Sequence, residues 1–396
     1  MNVIVAGAGP GAEYLMTEQL KETLKAADVV ISSVHFDGII EGYLRLGIND
    51  TLRYIQEHKG EKKNVLVLAS GDTGFYSIAQ TIAGKAPKDI NLKFLCGISS
   101  MQYFSAVMGM SYADMKLVSL HGRGGSIVPH VCYNKKVFSL TGGDSKVENI
   151  LMDLEAAGLG DVKVSIGERL SMRDQKITVG QASQLVNHKF NPLAVMIIEN
   201  ENAKNVKKPL RDADFVRGKA PMTKEAVREL SAFELQIMPE DIVYDIGAGT
   251  GAMTCVLALR ASESFVYAIE KDAEAFQVAK NNIEKLGTKN IKLIFGRAPS
   301  PEMEKFPAPD KVFIGGSSGN LREIVEFILR KNHKVEILVT AVTMETISEA
   351  FELFKEMNME ISSRLVSVSD AHKLGRYHLM KAENPVYLIK GRAREE

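Results

Sequence analysis

Short apolar runs alternate with longer stretches in which apolar residues return every three or four positions. In the first half of the chain, residues 2–6, 29–31, 64–69, 92–95, 116–120 and 135–140 read as buried strands, and 14–27, 74–83, 99–108 and 146–157 as helices. This alternation predicts α/β layers with mainly parallel sheets. Segments 162–168, 175–179 and 193–198 add strands with less helix between them, so the sheet is expected to become mixed towards residue 199. From Glu199 to Lys219 the pattern breaks into a polar, charged run, read as a linker or exposed crossover. A second series follows: helix 223–236, strand 242–246, helix 251–260, strand 264–269, helix 273–286, strands 291–295 and 311–315, helix 319–331, strand 334–340, helix 343–357, and strands 360–368 and 384–390. Seven strands ending in two without an intervening helix fit a Rossmann-like sheet closed by an antiparallel hairpin. The expected domains are therefore 1–200 and 220–396, joined by 201–219.

Composition narrows the function classes. The 396 residues are enough for two to three domains at about 150 residues each. Apolar residues are 45% and charged residues 25%, the balance of a globular protein with its own cores. Lys plus Arg equals Asp plus Glu at 49 each, so there is no basic excess of the kind a nucleic-acid binder shows. The three cysteines, Cys96, Cys132 and Cys255, form no CxxC pair; neither zinc nor a redox dithiol is expected, and a reducing cytoplasm suits them. Val3–Ala6 forms a strand-like run with no basic segment before it, which does not read as a signal peptide. No apolar stretch approaches the roughly 20 residues that span a bilayer.

The sharpest motif is Asp241-Ile-Val-Tyr-Asp-Ile-Gly-Ala-Gly-Thr-Gly251. A strand runs straight into Gly247, Gly249 and Gly251, and a helix starts there. Glycine admits positive φ and close approach of a ligand to the backbone, and the helix start presents free N–H groups. Glu270 ends the next strand, an acid placed to bind the two hydroxyls of a ribose. A nucleoside-type ligand follows, and both NAD and S-adenosylmethionine (SAM) fit such a loop. The G-x-G-x-G spacing, Asp245 two residues before it and a leading helix resemble class I SAM methyltransferases. Pro221-Met-Thr-Lys-Glu225, Phe313-Ile-Gly-Gly-Ser317 and Lys381-Ala-Glu-Asn-Pro-Val386 resemble, over about 220–392, the cobalamin-pathway methyltransferases that act at C15 and decarboxylate the C12 acetate. The resemblance implies SAM contacts at Thr223, Gly247, Ala248, Gly249, Thr250, Gly251, Glu270 and Ala298. Arg297 departs from it, standing where an acid is expected.

The chain opens with Gly7-Ala-Gly-Pro-Gly11 directly after a strand. Pro10 removes an N–H where a phosphate would want one, which argues against a dinucleotide loop. Ser70-Gly-Asp-Thr-Gly-Phe-Tyr76, Gly97-Ile-Ser-Ser100 and Ser119-Leu-His-Gly-Arg123 follow successive strands, so their polar groups can converge on one crevice. With Ser165-Ile-Gly-Glu-Arg-Leu170 and Phe190-Asn-Pro-Leu193 they resemble, over about 1–200, the two-lobed tetrapyrrole methylases, the C5-methylating member above all. That resemblance places SAM between the lobes, near Gly71, Asp72, Ser99 and Ser100. Thr73 departs from the Pro that many relatives carry.

Together the halves are similar to the fused precorrin-6Y C5,15-methyltransferase (decarboxylating) family. The expectation is methylation of a precorrin-6B-type or cobalt-precorrin corrinoid at C5 and C15 with loss of the C12 acetate carboxylate, giving a precorrin-8-type product. His121 and Arg123, and Arg376 and His378 in a basic cluster before the last strand, are candidates to meet substrate carboxylates, weighed against capping and solvated-face roles. No side chain is assigned as catalytic acid or base and no metal is expected, because transfer from a sulfonium needs chiefly positioning and exclusion of water. Nucleic acid and membrane are not expected partners; a homo-oligomer, dimer or tetramer, is. Competing readings are an RNA or other non-corrinoid methyltransferase, a non-enzymatic tetrapyrrole binder, and an NAD-dependent oxidoreductase.

Overall fold

In the computed structural model the first apolar run is strand β1 (Asn2–Gly7). Residues 1–33, 40, 42–122 and 124–394 are described. After β1 come α1 (Glu18–Ala26), β2 (Val29–Ser32), β3 (Leu44–Arg45), α2 (Ile48–His58), β4 (Asn64–Ala69), α3 (Ile78–Lys85) and β5 (Asn91–Leu95). The strands form a parallel sheet in the order β3-β2-β4-β1-β5. Side chains alternate across a strand. Val3 and Val5 with Val65 and Val67 therefore enter one apolar cluster, and Ala6 with Leu66 and Leu68 the one on the opposite face. Helix α2 is an addition to the expected elements: its apolar residues at 48, 52 and 55 keep helical spacing, but polar residues outnumber them and only Thr51 and Ile55 are buried.

α4 (Ser100–Val107) leads to β6 (Lys116–Ser119), α5 (Val128–Tyr133), β7 (Lys136–Leu140), α6 (Val147–Ala156), β8 (Lys163–Glu168), β9 (Lys176–Gln181), α7 (Ala182–Leu185) and β10 (Ala194–Glu199). These strands make a second sheet, β6-β7-β10-β8-β9, parallel only between β6 and β7. The mixed sheet anticipated towards residue 199 is thus present, and the two sheets are the two lobes of one unit, Met1–Gly124 with Lys136–Glu199.

The second unit holds Asn200–Glu396 and also Gly125–Lys135. The inserted piece carries α5, whose Val131 and Cys132 are buried. The Cys132 thiol donates to Gly287 O at 3.3 Å, Tyr133 OH donates to Asn290 Oδ1 at 2.5 Å, and the Asn200 amide donates to Val131 O at 2.8 Å. Burial pushes the Cys132 thiol above its ordinary value. The polar stretch before residue 220 is not loose on this unit either. Phe215 is buried, and the Asn282 amide grips Val216 at both its N–H and its carbonyl. Two anchoring residues leave the stretch polar as a whole, so the pattern along the chain does not reveal them.

The rest of the unit runs α8 (Glu225–Glu234), β11 (Val243–Ile246), α9 (Ala252–Arg260), β12 (Val266–Glu270), α10 (Ala273–Leu286), β13 (Ile291–Phe295), β14 (Lys311–Ile314), α11 (Leu321–Lys331), β15 (Glu336–Ala341), α12 (Met344–Glu356), β16 (Glu360–Val366), β17 (Ser369–Leu374), β18 (Tyr377–Ala382) and β19 (Val386–Arg392). Seven strands form one sheet in the order β13-β12-β11-β14-β15-β19-β16, with β19 antiparallel to both neighbours. The order reverses at β11, and ligands of open α/β sheets bind at such a switch point. β17 and β18 pair only with each other, as an exposed hairpin between β16 and β19. Among the described residues no helix is long and apolar enough to cross a membrane.

Candidate functional site

In the second unit, β11 ends at Ile246 and α9 begins at Ala252, so Gly247–Gly251 turns directly above the switch point. Gly247, Gly249 and Gly251 all have positive φ, between 56° and 75°. Their demands differ. A Cβ on Gly247 would lie 2.7 Å from Gly316 O, so close packing against a neighbouring loop requires glycine there. A Cβ on Gly249 would meet only Pro221 O, at 3.8 Å, an ordinary contact, so this glycine is not required by close packing.

The loop borders a crevice of about 220 Å³ lined by Thr223, Gly247, Ala248, Gly249, Thr250 and Glu270 among others. A neighbouring cavity of about 120 Å³ is lined by Gly247, Glu270, Lys271, Arg297, Ala298 and Ser317 among others. Gly247 and Glu270 border both. Gly251 lines neither and caps α9 instead. Arg376 and His378 belong to the exposed hairpin region and line neither cavity.

Glu270 is buried, and its carboxylate accepts from Gly249 N at 2.7 Å and from Asp272 N at 2.8 Å. Asp245 is fully buried beneath the loop. Thr254 Oγ1 donates to its Oδ2 at 2.5 Å, and among the described residues Oδ1 has no hydrogen-bond partner. Burial pushes the Asp245 carboxyl up to about 7; the Thr254 hydrogen bond opposes the rise and the negative charge of Glu270 adds to it. Asp245 therefore supports α9 from below and does not face the crevice. Arg297 donates to Asn320 Oδ1 at 2.5 Å and to Ser318 O at 3.4 Å, which ties one wall of the smaller cavity to the loop after β14.

One residue that sequence reasoning passes over organises the crevice rim. The Arg228 side chain is fully buried at the start of α8. It donates to Asp212 Oδ1 at 2.7 Å, Thr223 O at 2.5 Å and Leu210 O at 3.2 Å, and stacks 4.8 Å from the Phe215 ring centre. It thereby pins segment 210–223, with Pro221 and Thr223, onto the crevice. The only signal in the sequence is an arginine on a helix face otherwise filled by Val227, Ser231 and Ala232.

In the first unit the strand-end clusters do converge, on a cavity of about 340 Å³. Pro10, Gly71, Asp72, Tyr76, Ser100 and His121 line it, together with Thr141 and Leu193 from the second lobe. The size lies within the range of small-molecule sites, roughly 300–1,000 Å³. The glycines here meet each other: a Cβ on Gly97 would lie 2.4 Å from Gly71 O and 2.5 Å from Gly7 O. Asp72 ties loops together, accepting from Gly97 N at 2.8 Å and Gly74 N at 2.9 Å. Ser99 is buried as the cap of α4, exchanging hydrogen bonds with Gln102, and does not line the cavity. Ser171 Oγ accepts from Ala12 N at 3.0 Å, so the opening Gly-Pro-Gly loop leans on the second lobe. Tyr76 sits at φ 47°, a sparsely populated conformation for a bulky residue, with its hydroxyl donating to Leu117 O at 2.9 Å. The His121 ring meets Thr141 O at 3.0 Å through Nδ1. Arg123 lies outside the described residues.

Comparison with known proteins adds to this geometry. A family profile described as "Precorrin methyltransferase domain" matches residues 214–391, and one described as "Tetrapyrrole (Corrin/Porphyrin) Methylases" matches residues 2–186. The chain is 33% identical over 171 residues to a probable cobalt-precorrin-6B C(15)-methyltransferase (decarboxylating) of Pyrobaculum calidifontis, covering 43% of this chain and 87% of that one. It is 36% identical over 182 residues to a protein of the same description from Saccharolobus solfataricus, covering 43% and 88%. The crystal structure of a precorrin-6Y C5,15-methyltransferase from Geobacter metallireducens aligns with 27% identity and a TM-score of 0.45, over 47% of this chain and 97% of that one.

Proposed function

Because the chain belongs to the precorrin methyltransferases, with a tetrapyrrole methylase domain ahead of the precorrin methyltransferase domain, we propose that it is a bifunctional SAM-dependent enzyme. The first unit methylates C5 and the second methylates C15 of a precorrin-6B-type corrinoid, with or without cobalt. The second unit also removes the carboxylate of the C12 acetate, so the product is of the precorrin-8 type. The reaction belongs to the cytoplasm, where separate cysteines stay reduced.

The observation that carries the reading is Glu270, a buried carboxylate at the end of β12 between two cavities beside a glycine loop. An acceptor pair in that place suits the two hydroxyls of a ribose, and Gly249, which close packing does not require, lets a nucleoside lie against the backbone. Thr223, Ala248, Thr250 and Ala298 complete the walls. SAM supplies a methyl group already activated on a sulfonium. What the chain contributes is alignment of an electron-rich ring carbon with that methyl, and exclusion of water from it. Decarboxylation draws on the conjugated macrocycle as electron sink, so the second unit has to hold the acetate in a poorly solvated place. In the first unit Gly71, Asp72 and Ser100 stand by the cavity in which SAM is expected.

Calorimetric titration with SAM tests this. Two sites per chain are expected, and Glu270→Gln should weaken one of them about tenfold, the value of a charge-assisted hydrogen bond reduced to a neutral one. No SAM site, or a heat of binding with NAD instead, would contradict the proposal.

A further inference from the structure

Methylation at C5 makes a demand that alignment does not meet. C5 is a bridging carbon of the macrocycle and carries a hydrogen, which the methyl replaces. As the C–C bond forms with electrons from the conjugated ring, the S–CH3 bond breaks and its pair stays on sulfur. The carbon then holds hydrogen and methyl together. Conjugation returns only when the C–H bond breaks, its electron pair entering the ring and its proton leaving to a base. The sulfonium has become a neutral thioether, so the charge balances when one proton is taken up.

Three titratable groups border the first unit's cavity among the described residues: Asp72, Tyr76 and His121. Asp72 serves as a tie between loops, Oδ1 accepting from Gly97 N at 2.8 Å and Oδ2 from Gly74 N at 2.9 Å. The Tyr76 hydroxyl, itself a proton donor, makes its hydrogen bond to Leu117 O at 2.9 Å. His121 is arranged differently. Its Nδ1 lies 3.0 Å from Thr141 O, and a carbonyl only accepts, so Nδ1 carries the hydrogen and Nε2 of the neutral ring keeps a lone pair. The pose depends on its neighbour: a Cβ on Gly142 would fall 2.0 Å from Nδ1. Glycine at 142 and the carbonyl of 141 together hold the ring against the cavity in one tautomer.

We propose that His121 Nε2 is the base that takes the proton displaced from the methylated bridging carbon, a role that rests on the C5-methylation reading of the first unit. His121 is then a catalytic residue and not a clamp for substrate carboxylates.

The test uses the full chain with His121→Asn, whose side-chain amide keeps a donor for Thr141 O but offers no basic nitrogen. C5 and C15 methylation are followed separately, corrinoid binding is measured by visible-absorption titration without SAM, and folding is checked by thermal unfolding. The expected result is loss of C5 methylation by about 100-fold or more, the usual weight of a general base. Corrinoid affinity should stay within about threefold, a change of roughly 0.7 kcal/mol, and C15 methylation should be unchanged. C5 methylation within about threefold of wild type, or an affinity that falls in step with the rate, would overturn the proposal. Should Asn unfold the unit, Gly142→Ala, which displaces the ring without altering its chemistry, must lower C5 methylation selectively or the proposal fails. A wild-type chain that methylates neither carbon would sink the functional reading itself, a result visible before any variant is made.

Discussion

In the first unit Gly7 and Gly97 are packed against backbone where three strands end, each within 3 Å of Gly71 O if it carried a Cβ, and the space they leave is filled by their neighbours. In the second unit a Cβ on Gly249 would make only an ordinary contact, its N–H is spent on Glu270, and the glycine borders the crevice proposed for SAM. Both loops look alike as glycine-rich turns after a strand. What separates them is what lies opposite: another strand end in one, an acid at the tip of the next strand in the other. A glycine therefore reads as a packing device where the fold puts backbone opposite its Cβ position, as at Gly97 and Gly247, and as a candidate ligand contact where it does not, as at Gly249.

The largest expected effect lies away from both loops. Arg228→Ala should cost the second unit about 2–4 kcal/mol, because it empties a fully buried site and leaves two backbone carbonyls without the guanidinium that satisfies them, while Asp212, partly exposed, keeps Arg217 and Lys224 nearby. Differential scanning calorimetry should show that unit's transition moving down while the first unit's holds.

Asp245→Asn sharpens the contrast next. The folded chain keeps the Asp245 proton up to about pH 7, whereas the ordinary carboxyl value is 3.8. Between those values the unfolded state has already released its proton, so wild-type stability falls as pH rises from about 4 to 7, by up to about 4 kcal/mol, and then levels off. The Asn variant has no such proton. The stability difference between the two, from urea melts across that range, should show this slope; a difference independent of pH would contradict it.

The comparison itself is tested by a pair of alanines. Gly97→Ala drives a Cβ into two carbonyl oxygens and should destabilise the first unit by about 1–3 kcal/mol. Gly249→Ala makes only an ordinary contact and costs the left-handed backbone, about 1 kcal/mol, yet should weaken SAM binding at the second site. If Gly249→Ala unfolds more protein than Gly97→Ala, the distinction drawn between the loops is wrong.

The parts legible in the sequence are local. Strand, glycine loop, helix, strand and Glu270 follow one another within 30 residues (241–270), and counting such units is enough to reach the seven-stranded sheet. What stays hidden depends on residues far apart in sequence or on competition between neighbours. The family resemblance puts Ser99 near SAM; that it also caps α4, exchanging hydrogen bonds with Gln102, shows only in the structure. α5 lies within the first 200 residues yet docks against Gly287 and Asn290, and nothing in its six residues announces a partner more than 150 positions away. Arg228 looks like any surface arginine until Asp212, Leu210 and Thr223 close around it. The hairpin carrying His378 interrupts the two final strands with residues that bury nothing.

The most direct measurement is incubation of the purified chain with isotopically labelled SAM and a precorrin-6B-type substrate, read by mass spectrometry. Gain of two labelled methyl groups with loss of one CO2 is the predicted result. SAM binding without any gain of label would contradict the corrinoid assignment and require another methyl acceptor.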